Sequence, residues 1–299
     1  MVKEEKEIYA IIIMAFLFFL IHGLALIIAG TFEEANMQVF ENPDDPTNIL
    51  YIIFIMFSFT IIILLIAKFW KKQLIQAIIL GAIGYTSAYV FYPLFNLFFT
   101  ELIPLIFSII CAIVLILVLY KYPEWYIIDI CGIIVGTGAI AIFGISLGIL
   151  LIIALLIVLA IYDAISVYKT KHMIDLADTV MDLKLPVLLV VPKVRHYSLI
   201  KETKSLKEKL KDDEKRDAFF MGLGDIVMPG MLVVATFNSP ELGLPVALSV
   251  MIGTLVGFAI LMIFVIKGKP QAGLPLLCGG AIVGYFVSSY LLFGKLAGF

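Results

Sequence analysis

Three aspartates, Asp129, Asp163 and Asp225, stand inside long apolar runs that contain no lysine or arginine to pair with them. An ionisable group in hydrocarbon costs at least about 2.5–3.5 kcal/mol, so each acid that survives there is a candidate for function. At a rise of about 1.5 Å per residue, Asp163 lies about 9 Å inside the boundary marked by Lys169, and Asp225 about 12 Å inside that marked by Asp217. Two successive helices can therefore bring these carboxylates to one level. Two carboxyls close together in a low-dielectric site cannot both ionise; they share one proton and titrate as a unit. That state performs aspartic hydrolysis. The charged carboxylate takes a proton from water while its protonated partner polarises a peptide carbonyl, and the roles exchange as the amine leaves. The chemistry requires neither a cofactor nor a metal.

Local sequence separates the three acids. Asp225 closes the run Gly222-Leu223-Gly224-Asp225, where two glycines remove side-chain bulk and let another backbone come close; Pro229-Gly230 follow one turn later. Gly222 and Gly224 are thus candidate substrate contacts. Asp163 follows Tyr162, whose phenol could bond a carboxylate or an incoming peptide. Asp129 is equally deep but lies just below Trp125 and Tyr126, where a snorkelling acid is the plainer reading. His22 reads as a hydrogen-bonded packing residue. Cys111, Cys131 and Cys278 read as packing residues too, and with only His172 and His196 besides His22, no metal centre is expected.

The elements that must position these acids follow from composition. The chain has 299 residues, 63% hydrophobic and 15% charged, with a mean hydropathy of +1.12. That is too few charges to clothe a water-facing surface, so the expected class is an all-α polytopic membrane protein in contact with the lipid bilayer. A net charge of −2 excludes a strongly basic nucleic-acid binder. Counting runs long enough for about 30 Å of hydrocarbon yields nine spans, at 8–30, 48–67, 73–92, 103–120, 125–144, 147–168, 218–237, 245–266 and 274–294. A weaving chain would put 20 of the 21 Lys and Arg residues on one side, leaving only Lys295 opposite. That loaded side is expected to be cytoplasmic, with the N-terminus inside and the C-terminus outside. The chain thus divides into helices 1–6 over 1–168, a polar cytoplasmic loop over 169–217 and helices 7–9 over 218–299. In the loop, Met173, Leu176 or Ala177, Val180 and Leu183 form an amphipathic face; residues 187–191, fenced by Pro186 and Pro192, suit a strand; and 201–217 reads as a mobile charged stretch. The strand could receive an extended peptide at its edge, which would make Leu189 a substrate contact.

The ordered pair Tyr162-Asp163 and Gly222-Leu223-Gly224-Asp225, set in nine spans with an inside N-terminus, resembles the Gly-x-Gly-Asp intramembrane aspartyl proteases. That is the presenilin and signal peptide peptidase family, and the likeness is nearest to its archaeal presenilin-like members. Val167, Thr170, Met173, Ala177, Pro186, Leu189 and Pro192 also resemble the signal peptide peptidase pattern, and the likeness is best over 123–294. It implies that Asp163 and Asp225 are the catalytic dyad of an endopeptidase in the cell membrane, acting on single-span membrane proteins or signal peptides; a homo-oligomer is left open. The family's third motif, Pro-Ala-Leu, falls on Ala272-Gly273-Leu274, where only the leucine matches, so a substrate-positioning role is implied for Leu274 alone. The rival class is a proton- or cation-coupled transporter or channel using the same acids, although no halves with matching interrupted helices are evident. A catalytically silent scaffold for other membrane helices is a third reading, disfavoured by the intact acids.

Overall fold

The computed structural model describes residues 2–69, 72–170, 188–194, 197–199, 217–266 and 271–298. Among these, nine α-helices follow one another: α1 Val2–Glu34, α2 Thr47–Phe69, α3 Lys72–Asn96, α4 Ile103–Lys121, α5 Trp125–Ser146, α6 Ile149–Ile165, α7 Leu223–Asn238, α8 Gly243–Ile266 and α9 Leu274–Phe293. A π-helical turn, Ser166–Thr170, extends α6. Two short strands, β1 Leu188–Pro192 and β2 Ala218–Gly222, pair antiparallel, with Leu189 opposite Met221 and Val190 opposite Phe220. The amphipathic face around 173–183 and the charged stretch 201–216 lie outside the described residues.

The seventh crossing differs from its expected span. Residues 218–222 are strand, and the helix begins only at Leu223, with Gly222 as its extended N-cap. The sequence Ala-Phe-Phe-Met-Gly is apolar enough to read as helix, but pairing with β1 satisfies its backbone in the extended form, and its aromatic side chains suit a strand. Seven helices are long and apolar enough to cross a membrane, and α2 spans 23 residues. Helix α7 has 16 residues, about 24 Å, short of the roughly 30 Å hydrocarbon core. Strand β2 makes up the difference.

Helices α1, α5, α7 and α9 carry the core. Phe18, Ile21, Ala25 and Phe32 of α1 are buried against Ile140 and Ala141 of α5 and Ile226 of α7. Leu151, Ile152, Leu155 and Leu156 of α6 pack with Leu232 of α7 and Cys278 and Tyr285 of α9. Helix α4 instead turns Leu105, Ile106, Ile109 and Ile113 outward, as a lipid-facing helix does. Three buried hydroxyls on the helices return their protons to carbonyls one turn earlier, Ser108 to Pro104, Thr236 to Leu232 and Thr254 to Val250, whereas among the described residues the buried hydroxyls of Ser87 and Thr137 meet no partner.

The α8–α9 pair is closest of all. A Cβ at Gly253 would fall within contact radius of the Gly280 carbonyl, one at Gly280 would meet the Gly253 carbonyl, and one at Gly257 or Gly284 would strike Leu276 or Ser249 main chain. Only glycine at these four places lets two membrane helices touch backbone to backbone.

Candidate active site

Asp163 occupies the last turn of α6, Asp225 the first turn of α7, and Gly273-Leu274 the start of α9. The first N–H groups of any helix lack intrahelical acceptors, and both acids exploit this. Asp163, 3% exposed, accepts the Leu274 N–H at 3.1 Å through Oδ2. An acid from one helix thereby caps the N-terminus of another, at the positive end of its dipole. Asp225 is the third residue of α7 and reaches back to the Gly222 N–H, the acid half of a capping box.

Gly273 joins the two. The N–H of the next residue, Leu274, is bonded to Asp163, and a Cβ on Gly273 would stand 3.0 Å from Asp225 Oδ2. Both carboxyls therefore converge on the start of α9, as the equal-depth reading required. Cys278, one turn further along α9 and buried, lies within electrostatic reach of both. The arrangement is that of two carboxyl groups facing one another across the start of α9, with the Leu274 N–H on one of them and, among the described residues, no cation bonded to either. Among the described residues no cluster of His, Cys, Asp and Glu could hold a metal ion.

The β1–β2 ladder leads directly into Asp225, and its hydrogen-bond parity can be read. The Lys193 N–H bonds the Asp217 carbonyl at 2.7 Å, so in the antiparallel alternation Val191 and Leu189 also face β2, while Leu188, Val190 and Pro192 turn their main-chain groups away. On β2 the outward residues are Ala218, Phe220 and Gly222. The Gly222 N–H goes to Asp225 and the Val190 N–H to Asp129 Oδ1, at 2.8 Å. No described residue bonds the outer N–H or carbonyl of Phe220.

The remaining sequence candidates divide. Gly222 lies at the acid itself, since a Cβ there would be 3.3 Å from Asp225 Oδ2. Gly224 is exposed and borders open space. Leu274 contributes its N–H to Asp163. Tyr162 does not join the acids: its ring is 53% exposed and packs edge-on to Phe57 of α2, because neighbouring helix residues point about 100° apart. Leu189 is not at an open edge. It is 0% exposed and wedged against α5, where a Cβ on Gly132 would come within 2.7 Å of its Cδ2. Asp129 does not snorkel; it is 6% exposed and bonded to β1.

Gly273 and β2 were not singled out in the sequence. The small residues before Leu274-Pro275 were the only signal for Gly273, and the aromatic pair Phe219-Phe220 the only one for β2. His22 is a buried hydrogen-bonding residue as expected, but its partner was not foreseen: Nε2 lies 2.9 Å from the Ile226 carbonyl, one residue past Asp225. Since a carbonyl only accepts, Nε2 carries the proton. Gly230 clears the space, for a Cβ there would be 2.9 Å from that nitrogen.

The family model of signal-peptide peptidase, presenilin aspartyl protease matches residues 15–294. Two solved structures of a presenilin family intramembrane aspartate protease are similar over nearly the whole length of both chains. The first, in a C222 space group, is 32% identical with a TM-score of 0.67, and covers 93% of this chain and 96% of that one. The second, in a P2 space group, is 34% identical with a TM-score of 0.68 and the same coverage. No curated protein matches the chain.

Proposed function

Because the chain belongs to the signal-peptide peptidase and presenilin aspartyl protease family and is a multi-pass intramembrane aspartic endopeptidase, we propose that Asp163 and Asp225 are its catalytic dyad. The observation that carries this reading is the start of α9, where the Leu274 N–H is bonded to one acid while the Cα of the adjoining Gly273 faces the other. A water held between two carboxyls that share one proton loses its own proton to the charged oxygen. The protonated partner donates to the scissile carbonyl, a tetrahedral diol forms, and the proton gained from water passes to the departing amine.

A peptide bond inside a helix is shielded by its own hydrogen bonds, so the substrate must first become extended. The outer edge at Phe220, unpaired among the described residues, supports strand addition on β2. Only Leu223 and Gly224 separate Gly222 from Asp225, so the register on this edge sets which bond reaches the acids. We assign the end of the molecule bearing these acids to the cytoplasmic side of the cell membrane, with the N-terminus inside and the C-terminus outside, on the distribution of Lys and Arg. Water then reaches the dyad from the cytoplasm. Single-span membrane proteins or signal peptides are the fitting substrates, since each offers one apolar helix that can unwind at its end.

The test is hydrolysis of a single-span substrate by purified, reconstituted protein. Asp163→Asn and Asp225→Asn should each abolish turnover, and an aspartyl transition-state analogue should inhibit the unaltered chain. Cleavage that persists in both variants would refute the assignment.

A further inference from the structure

We propose that Asp129 is a positioning residue of the protease, which anchors β1 through the Val190 N–H and so fixes the register in which a substrate strand meets the dyad. This rests on the reading of Asp163 and Asp225 as the catalytic acids and of β2 as the substrate edge. Asp129 lies on α5, an element that contributes neither acid, and its carboxylate accepts the Val190 N–H at 2.8 Å from a position 6% exposed.

A two-stranded ribbon is marginal by itself and needs an external support to hold one geometry. Here the support is one stripe of α5. Asp129, Gly132 and Gly136 follow at spacings of three and four, hence on one helical face. Asp129 takes the Val190 N–H; Gly132 leaves the space filled by the neighbouring Leu189; and Gly136 leaves the space for Leu223, where a Cβ would be 3.0 Å from Leu223 Cδ1. At the head of α5, Glu124 accepts the Ser198 hydroxyl at 2.6 Å and the Leu199 N–H at 3.1 Å, securing the chain beyond β1. Steric contacts at Gly132 and Gly136 permit sliding along the stripe. The Asp129 bond does not, because it names one backbone group. Since Leu189 and Val191 are laddered to Met221 and Phe219, fixing Val190 also fixes Phe220, and with it the outer edge that leads to Asp225.

The experiment uses the full chain reconstituted with a single-span substrate, reading product masses, KM, kcat and Tm. Asp129→Asn keeps a carbonyl oxygen for the Val190 N–H and should give the unaltered product masses and KM. Asp129→Ala leaves that N–H unpaired; KM should rise about tenfold, the size expected for one buried donor left unsatisfied, and cleavage should spread to neighbouring peptide bonds. Asp129→Glu retains the acceptor on a longer arm and should move the main cleavage position, which keeps the test open if Asp129→Ala does not fold. Unchanged product masses in both Asp129→Ala and Asp129→Glu would overturn the proposal. So would Asp129→Asn behaving as Asp129→Ala does. Asp225→Asn, run alongside, separates the two levels: turnover surviving there defeats the dyad, whereas a dead Asp225→Asn with a normal Asp129→Ala defeats only the role of Asp129.

Discussion

The α8–α9 pair and the β1–β2 ribbon both border the acids, and they are held by opposite means. Helices α8 and α9 meet through main-chain contacts at Gly253, Gly257, Gly280 and Gly284. The ribbon is held by single hydrogen bonds from side chains of α5 and by packing of Leu189. The first kind of contact is stiff, because any displacement separates a long row of van der Waals partners at once. The second can be remade one bond at a time. The side of the site that presents the Leu274 N–H is thus a frame held by many contacts at once, while the side that would receive a substrate depends for its register on one hydrogen bond.

The strongest way to break this contrast is to alter the outer edge of β2 without touching its inner one. Phe220→Pro removes an N–H that the ladder with β1 does not use, and an edge strand tolerates proline there. Cleavage should fall by about 100-fold or more, because proline both lacks the N–H and obstructs a strand laid against it, while Phe220→Ala, which sheds the same half-buried ring but keeps the N–H, should lower Tm with a much smaller loss of cleavage. A normal rate in Phe220→Pro would place the substrate elsewhere. On the rigid side, Gly280→Val drives a side chain into the Gly253 carbonyl. This should cost about 1–3 kcal/mol of stability through forced separation of α8 and α9, measurable as a lower Tm, and cleavage should fall with it as Gly273 leaves Asp225. Stability lost without any loss of activity would show that α9 need not be rigid.

The smallest effect is the most discriminating. Gly224 borders open space, so Gly224→Ala meets no neighbour and, as a helix residue, should gain about 0.5–1 kcal/mol. KM should nevertheless rise severalfold, because that open space beside Asp225 is where a substrate backbone would lie. Stability and activity would then move in opposite directions, and a variant improved in both would remove Gly224 from the substrate path.

Much of this site was legible in the sequence. Apolar run length counts the crossings, and charges at their ends set the depths of Asp163 and Asp225, since hydrocarbon thickness and helix rise are constants. The prolines around 187–191 announced a strand, and β1 occupies 188–192. The strand at 218–222 was read as helix because a buried segment without alternation carries no period to separate the two. Tyr162 and Leu189 were attractive for being near the right residues, but adjacency along a helix or in a strand does not say which way a side chain points against its neighbours.

Residue types and their order by themselves determined that this chain is a bundle of membrane helices, which acids are buried in it, and that two of them come to one level. Only the tertiary structure decided what those acids touch: Asp163 the head of α9, Asp225 its own Gly222, Asp129 the middle of β1. The physical reason is that each partner is a main-chain N–H. Every residue except proline carries the same one, so its use leaves no mark on the sequence, and only the packing of α5, α6, α7 and α9 selects which of them an aspartate meets.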